Sequence, residues 1–136
     1  MEDILIFMQQ EFLLVLALVA LTILFVRRES QLAGDKISVS EAVQAMNQDT
    51  AVMVDVRDKK DFDAGHVANA INIPFAKITN GARLFEQYKG KRIILADKMG
   101  QQAGTVGKML AKEGLDVCRL SGGIEEWKQQ TLPLVK

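Results

Sequence analysis

Asp97 occupies the first position of a short loop that follows a strand-like run and leads into a helix-like pattern. The run Arg92–Ala96 is apolar and rich in β-branched residues, which predicts an interior strand, and Val106, Met109 and Leu110 recur at helical spacing. A loop between a strand and a helix N-terminus gathers backbone N–H groups at the positive end of the helix dipole, so it forms a natural anion site. A carboxylate at the start of this loop would fill that site itself.

The remaining loop residues are Lys98, Met99, Gly100, Gln101, Gln102 and Ala103. We predict that Asp97 accepts hydrogen bonds from the N–H groups of this loop. An acid–base or metal-binding role for Asp97 is the alternative, although the sequence places no second carboxylate or histidine beside it. For Lys98 we expect a solvated side chain, with contact to an acidic partner as the alternative.

The composition limits the other functions that the chain could have. Its 136 residues include 17 basic and 17 acidic ones, which fits one domain plus a small segment and gives no basic excess for binding nucleic acid. One cysteine, Cys118, and one histidine, His66, permit no intrachain disulfide and are too few for a Cys/His metal site. We therefore predict no metal site and no cofactor, and we expect Cys118 to be a structural residue in a strand.

An uncharged apolar run, Phe12–Val26, lies near the N-terminus. Counted from Ile4 to Val26, a helix would be about 34 Å long at about 1.5 Å per residue, enough to cross a bilayer. A cleaved signal peptide is an alternative, but the residues before the run include no lysine or arginine. A buried core helix is a second alternative, and it is disfavoured because the run is apolar on every face.

Two arginines, Arg27 and Arg28, follow the apolar run. Basic residues beside a membrane span are retained on the cytoplasmic side, so we predict an N-terminus outside and a cytoplasmic C-terminal domain. The expected organisation is a membrane anchor at 1–28, inserted in the bilayer through 4–26, a linker at 29–35 and a soluble domain at 36–136.

The soluble part alternates between strand and helix patterns. Ser38 and Glu41 have the spacing of a capping box, and a near-continuous apolar strand is predicted over Ala51–Val56. Asp61 lies four residues after Arg57, where a single helical turn would pair them. A helix over Arg83–Tyr88 is expected to turn Leu84, Phe85 and Tyr88 inward. Alternating strands and helices predict an α/β fold with a mostly parallel sheet.

Four segments, in this order, resemble the rhodanese-homology domain. They are VDVR at 54–57, GHVANAINIP at 65–74, the strand–loop–helix around Asp97, and LSGGIEEW at 120–127. The resemblance covers about residues 36–135 and implies a three-layer α/β/α domain around a five-stranded, mostly parallel sheet. With the preceding apolar helix, the chain is similar to bacterial membrane-anchored rhodanese-like proteins, which implies a single-pass protein of the bacterial inner membrane.

The matched motifs outside the loop are expected to be structural. Asp55 and Arg57 would fix the end of a strand and the adjacent loop, and His66, after Gly65, would bond backbone through a ring nitrogen. Gly122 and Gly123 form a turn, and Trp127 is expected in the core rather than on a binding surface.

The loop departs from the family pattern. Active members carry a cysteine where this chain has Asp97, and commonly an Arg-Ser pair where it has Gln102 and Ala103. The resemblance thus implies the fold without the sulfur-transfer activity. The leading hypothesis is a catalytically inactive interaction or scaffold module whose partner is a protein, another membrane protein being one option. The alternatives are a sulfurtransferase or sulfur carrier that uses Cys118 or a partner's cysteine, and a sensor of small anions.

Overall fold

The computed structural model describes residues 1–78 and 81–136 and divides them into two compact units, Met1–Gln31 and Leu32–Lys136. The first unit consists almost entirely of helix α1, Glu2–Leu32. This helix is long and apolar enough to cross a membrane. None of the residues of α1 is buried.

The predicted linker at 29–35 differs from the structure. Helix α1 continues to Leu32, and the first strand already begins at Asp35. Ala33, between them, is buried. The second unit therefore begins at Leu32, before the predicted boundary at residue 36, because the side chain of Ala33 packs into it instead of remaining solvated.

Five parallel strands form the central sheet of the second unit, in the order β1-β5-β4-β2-β3. They are β1 (Asp35–Ile37), β2 (Ala51–Asp55), β3 (Ile71–Asn72), β4 (Arg92–Ala96) and β5 (Val117–Leu120). This confirms the predicted α/β class and its five-stranded parallel sheet. Apart from Asp55, Arg92 and Arg119, the residues of the inner strands β2, β4 and β5 are apolar, because both faces of the sheet are covered.

Helices cover the two faces. The α-helices are α2 (Val39–Asn47), α3 (Lys59–Ala64), α4 (Gln101–Lys112) and α5 (Gly123–Gln129), with 3-10 helices at Phe75–Lys77 and Gly81–Tyr88. Ile94 and Ala96 of β4 join one core cluster with residues of α2 and α5, whereas Ile93 and Leu95 join a second with residues of α4. The domain thus has the three expected layers.

The local signals at the start of α2 are confirmed. The Ser38 N–H donates to the Glu41 carboxylate at 2.8 Å, and the Glu41 N–H donates to Ser38 Oγ at 3.2 Å. These reciprocal bonds satisfy two N–H groups that the first turn of a helix leaves unpaired.

The predicted helix over Arg83–Tyr88 lies within the 3-10 helix Gly81–Tyr88. Phe85 is buried and Tyr88 half-buried, as expected, but Leu84 is 43% exposed, so its inward placement was wrong. With three residues per turn in a 3-10 helix, Phe85 and Tyr88 share the inner side and Leu84 does not.

Candidate functional site

The loop that begins at Asp97 lies at the carboxyl edge of the sheet. Strands β2 and β4 pair in register, with Asp55 opposite Ala96, and the Val56 N–H donates to the Ala96 carbonyl at 2.9 Å. The ends of two neighbouring strands therefore bring Asp55 and Asp97 to one edge. In open α/β sheets this edge is the usual place for a ligand site.

Asp97 is only 3% exposed, and its carboxylate accepts hydrogen bonds from its own loop. The Gly100 N–H donates to one oxygen, and the N–H groups of Gln102 and Ala103 donate to the other at 2.6 and 3.1 Å. This is the predicted interaction. The N–H groups that would bind an anion at the start of α4 are thus directed at a carboxylate of the same chain.

The turn before α5 holds the same loop from the other side. The Ile124 N–H donates to the Asp97 carbonyl at 2.8 Å, and the Glu125 N–H donates to the Lys98 carbonyl at 3.1 Å. Gly123 has a φ of 63°, and a Cβ on it would lie 2.5 Å from the Asp97 carbonyl oxygen. The sequence shows Gly122 and Gly123 as a turn, but this backbone contact with the loop only appears in the structure.

Asp55 and Arg57 fix the neighbouring strand end, as predicted. The Arg57 guanidinium donates to both oxygens of the buried Asp55 carboxylate at 2.8–3.0 Å, and to the Gly65 carbonyl at 2.8 Å. The expected partner of Arg57 was Asp61, and this pairing was wrong. Arg57 lies two residues after Asp55, the last residue of β2, and its side chain folds back onto the strand end.

His66 has the backbone-bonding role predicted for it. Its Nδ1 lies 2.9 Å from the Phe62 carbonyl oxygen, an acceptor, so Nδ1 is the donor. The ring also stacks on Phe62 with centroids 3.8 Å apart. The His66 backbone exchanges two hydrogen bonds with Val135, of 2.8 and 2.7 Å, which attach the C-terminal segment to this turn. His66 is thus a structural residue of the turn.

The tip of the loop is open to solvent. Lys98 is exposed and Met99 is 60% exposed. A cleft of about 320 Å³ opens beside Lys98, lined by Arg57, Asp61, Ala64, Gly65, Lys98, Glu125, Lys128 and Leu134. This charged cleft and the exposed loop tip are the solvent-facing parts of the site.

Cys118 and Trp127 are both core residues. Cys118, in β5, is 0% exposed, and its Sγ lies 3.6 Å from the Ile93 carbonyl oxygen. Burial raises the pKa of its thiol to about 11, with smaller contributions that include the attraction of Arg92, which lowers it. Trp127 is buried, with its Nε1 donating to the Pro133 carbonyl at 3.3 Å, which confirms its predicted place in the core.

Two residues of this edge were not identified from the sequence. The Asn72 side chain donates to the carbonyls of Asp55 and Arg57 at 3.1 and 2.9 Å, and Arg119 is buried beneath α4. Asn72 belongs to the NIP part of the matched segment at 65–74, and this motif could have indicated its role. Among residues 1–78 and 81–136, no group of three or more His, Cys, Asp or Glu side chains is placed to hold a metal ion.

Comparisons with known proteins agree with the fold. Residues 38–130 match the rhodanese-like domain family. The chain is 31% identical over 141 residues to the uncharacterised protein YibN of Escherichia coli, covering 100% of this chain and 99% of YibN. It is also 27% identical to an adenylyltransferase and sulfurtransferase, uba4, of Pyricularia oryzae, over 80% of this chain and 27% of that protein.

Solved structures show the same architecture. A rhodanese-related protein from Thermoplasma volcanium superposes with a TM-score of 0.67 at 23% identity, over 74% of this chain and 97% of that protein. The family match, the full-length similarity to YibN and the shared fold lead to one conclusion: this chain belongs to the rhodanese-like domain family.

Proposed function

We propose that this protein is a membrane-anchored, catalytically inactive rhodanese-like domain that binds a protein partner at the cytoplasmic face of the membrane. The main support for the proposal is that the Asp97 carboxylate accepts hydrogen bonds from the N–H groups of Gly100, Gln102 and Ala103. The loop that would receive an anionic substrate thus already holds a negative group.

The chemistry of sulfur transfer explains why this arrangement argues against catalysis. Sulfur is carried as a persulfide on a thiolate nucleophile, and a carboxylate cannot form one. The negative charge of Asp97 also opposes the binding of a second anion in the same site, which argues against an anion sensor. Gln102 and Ala103 stand where active members commonly carry Arg and Ser.

A sulfurtransferase that uses another thiol is the rival function, and the name of the fungal relative favours it. Cys118 is the only thiol of this chain. It is buried within the sheet, and its raised pKa keeps the thiol protonated near pH 7, where a sulfur carrier needs an accessible thiolate. These properties support a structural role for Cys118.

A thiosulfate:cyanide sulfurtransferase assay tests the absence of activity directly. We expect the full chain, purified in detergent, to show no turnover above background, and the Cys118→Ser variant to behave identically. Turnover in the parent chain that disappears in Cys118→Ser would refute the inactive assignment and identify Cys118 as the sulfur carrier. Turnover that persists in Cys118→Ser would also refute it, and would require a route without a thiol of this chain.

The binding surface is tested by site-specific crosslinking in intact membranes. A photoreactive side chain in place of Met99, at the exposed loop tip, should give a defined protein adduct. The matched control is Glu113, which is also exposed but follows α4 at its other end. Equal adducts at both positions, or no adduct at position 99, would contradict binding through the loop.

Anchoring and orientation have their own test. Helix α1 is long and apolar enough to cross a membrane, and Arg27 and Arg28 lie near its C-terminal end. A reporter that is active only in the cytoplasm should therefore be active when fused after Lys136 and inactive when fused at Met1. Digestion of the domain by a protease added from the outer side of the membrane would refute this orientation.

A further inference from the structure

The two residues after α1, Ala33 and Gly34, are packed into the domain. Ala33 is 2% exposed. The Gly34 carbonyl accepts hydrogen bonds from Nε and Nη2 of Arg119 at 3.3 and 3.1 Å. Gly34 has a φ of 87°, and a Cβ on it would lie 2.5 Å from the Val117 carbonyl oxygen. This segment, Ala33–Gly34, is called the strap below.

Helix α4 holds the strap through a glycine. A Cβ on Gly107 would lie 2.1 Å from the Ala33 carbonyl oxygen, which is far too close. Gly104, nearly one turn earlier on the same helix, would place a Cβ 3.5 Å from Nη1 of Arg119, an ordinary contact. The close approach of strap and helix therefore depends on the missing side chain of Gly107 and not on glycine throughout α4.

The same helix holds the loop. The N–H groups of Gln102 and Ala103, in its first turn, bind the Asp97 carboxylate. Gly107 follows Ala103 by four residues, about 6 Å along the helix axis. Burial lowers the pKa of the Arg119 guanidinium, and the negative charges of Asp35 and Asp97 oppose that change. The loop and the strap thus share helix α4.

We propose that the strap is conformationally coupled to the Asp97 loop: packing of the strap on the domain stabilises the closed conformation of the loop. When the strap is docked, Gly107 fixes α4 against Ala33, and Arg119 is bound to the Gly34 carbonyl. Displacement of the strap removes both contacts and releases the helix whose first turn closes the loop. The coupling is reciprocal, so opening of the loop loosens the strap. It goes beyond the proposed function, because it does not depend on what the loop binds.

Hydrogen–deuterium exchange of the full chain in phosphatidylcholine nanodiscs tests the coupling. The variants are Gly107→Ala, which forces the strap away, and Gly104→Ala, the same substitution on the same helix without a clash. We expect Gly107→Ala to raise exchange about tenfold in peptides covering residues 33–37 and 97–103, with β2 protected as before. Gly104→Ala should leave both peptides unchanged.

Three outcomes would overturn the proposal. They are faster exchange at 33–37 without a change at 97–103, no change at either segment in Gly107→Ala, and equal changes in Gly104→Ala. If Gly107→Ala also unfolds β2, the reciprocal variant Asp97→Asn decides the question. Faster exchange at 33–37 in Asp97→Asn, with β2 protected, supports the coupling, and unchanged exchange there refutes it.

Discussion

Asp55 and Asp97 are two buried carboxylates at neighbouring strand ends, and their charges are balanced in different ways. The Asp55 carboxylate pairs with the Arg57 guanidinium, a full positive charge. The Asp97 carboxylate accepts hydrogen bonds from backbone N–H groups, those of Gly100, Gln102 and Ala103. The first arrangement is an ion pair between side chains, and the second is a side chain bound by the dipoles of a loop and a helix start.

The two carboxylates therefore have different roles at the same edge of the sheet. The Asp55–Arg57 pair also binds the Gly65 carbonyl, so it connects two segments of the fold. The N–H groups around Asp97 belong to a loop that could bind an anion, and Asp97 fills that loop at the position where the resemblance to the family implies the nucleophile of active members. A carboxylate can therefore be held by hydrogen bonds at either strand end, and under the proposed function only Asp97 stands in place of a reactive group.

Removal of Asp55 should give the largest effect. Asp55→Ala leaves the Arg57 guanidinium largely buried without its counter-charge, which should lower the free energy of unfolding by about 3–5 kcal/mol. Urea unfolding of the full chain in detergent, followed by fluorescence of Trp127, measures this. Asp61→Ala is the matched control, since Asp61 is exposed, and it should change stability by less than about 0.5 kcal/mol. Similar losses in both variants would show that the Asp55–Arg57 pair is not the stabilising contact.

Removal of Asp97 should cost less, because the hydrogen bonds that it loses come from backbone N–H groups and not from a buried guanidinium. Asp97→Ala leaves backbone N–H groups without an acceptor, which should lower the free energy of unfolding by about 1–3 kcal/mol. Water can reach some of these N–H groups, because Gly100 and Gln102 are not buried. The same unfolding experiment compares Asp97→Ala with Lys98→Ala, whose exposed side chain should contribute little. A loss equal to that of Asp55→Ala would contradict the distinction between the two carboxylates.

Cys118 extends the comparison to a buried group that stays uncharged near neutral pH, and it should give the smallest effect there. Burial raises its pKa from 9.0 to about 11 in the folded chain. Below pH 9 both states keep the proton, and between pH 9 and 11 only the unfolded state loses it, so stability falls over that window. The difference in unfolding free energy between the parent chain and Cys118→Ala should therefore be constant up to about pH 9. Above pH 9 the unfolding free energy of the parent chain should fall relative to that of Cys118→Ala. A difference that stays constant to pH 11 would show that the thiol is accessible to solvent.

Most of the fold could be predicted from local patterns. The capping box at Ser38, the apolar run at Ala51–Val56 and the motif around His66 each specify a structure within a few residues, and the structure confirms them. The errors concern contacts that depend on helix type or on the direction that a side chain takes at a strand end. Leu84 is exposed because its helix is of the 3-10 type, and Arg57 pairs with Asp55 where spacing favoured Asp61.

The sequence by itself determined that the first loop position carries a carboxylate and that the chain's one cysteine is elsewhere. This was enough to predict the occupied loop, because the donors of Asp97 lie within six residues of it. Only the tertiary structure decided that the turn at Gly123 holds the loop and that Gly107 and Arg119 receive the strap. Arg119 and Gly34 are 85 residues apart, and their contact depends on the pairing of β1 with β5 and the packing of α4, which no local pattern specifies.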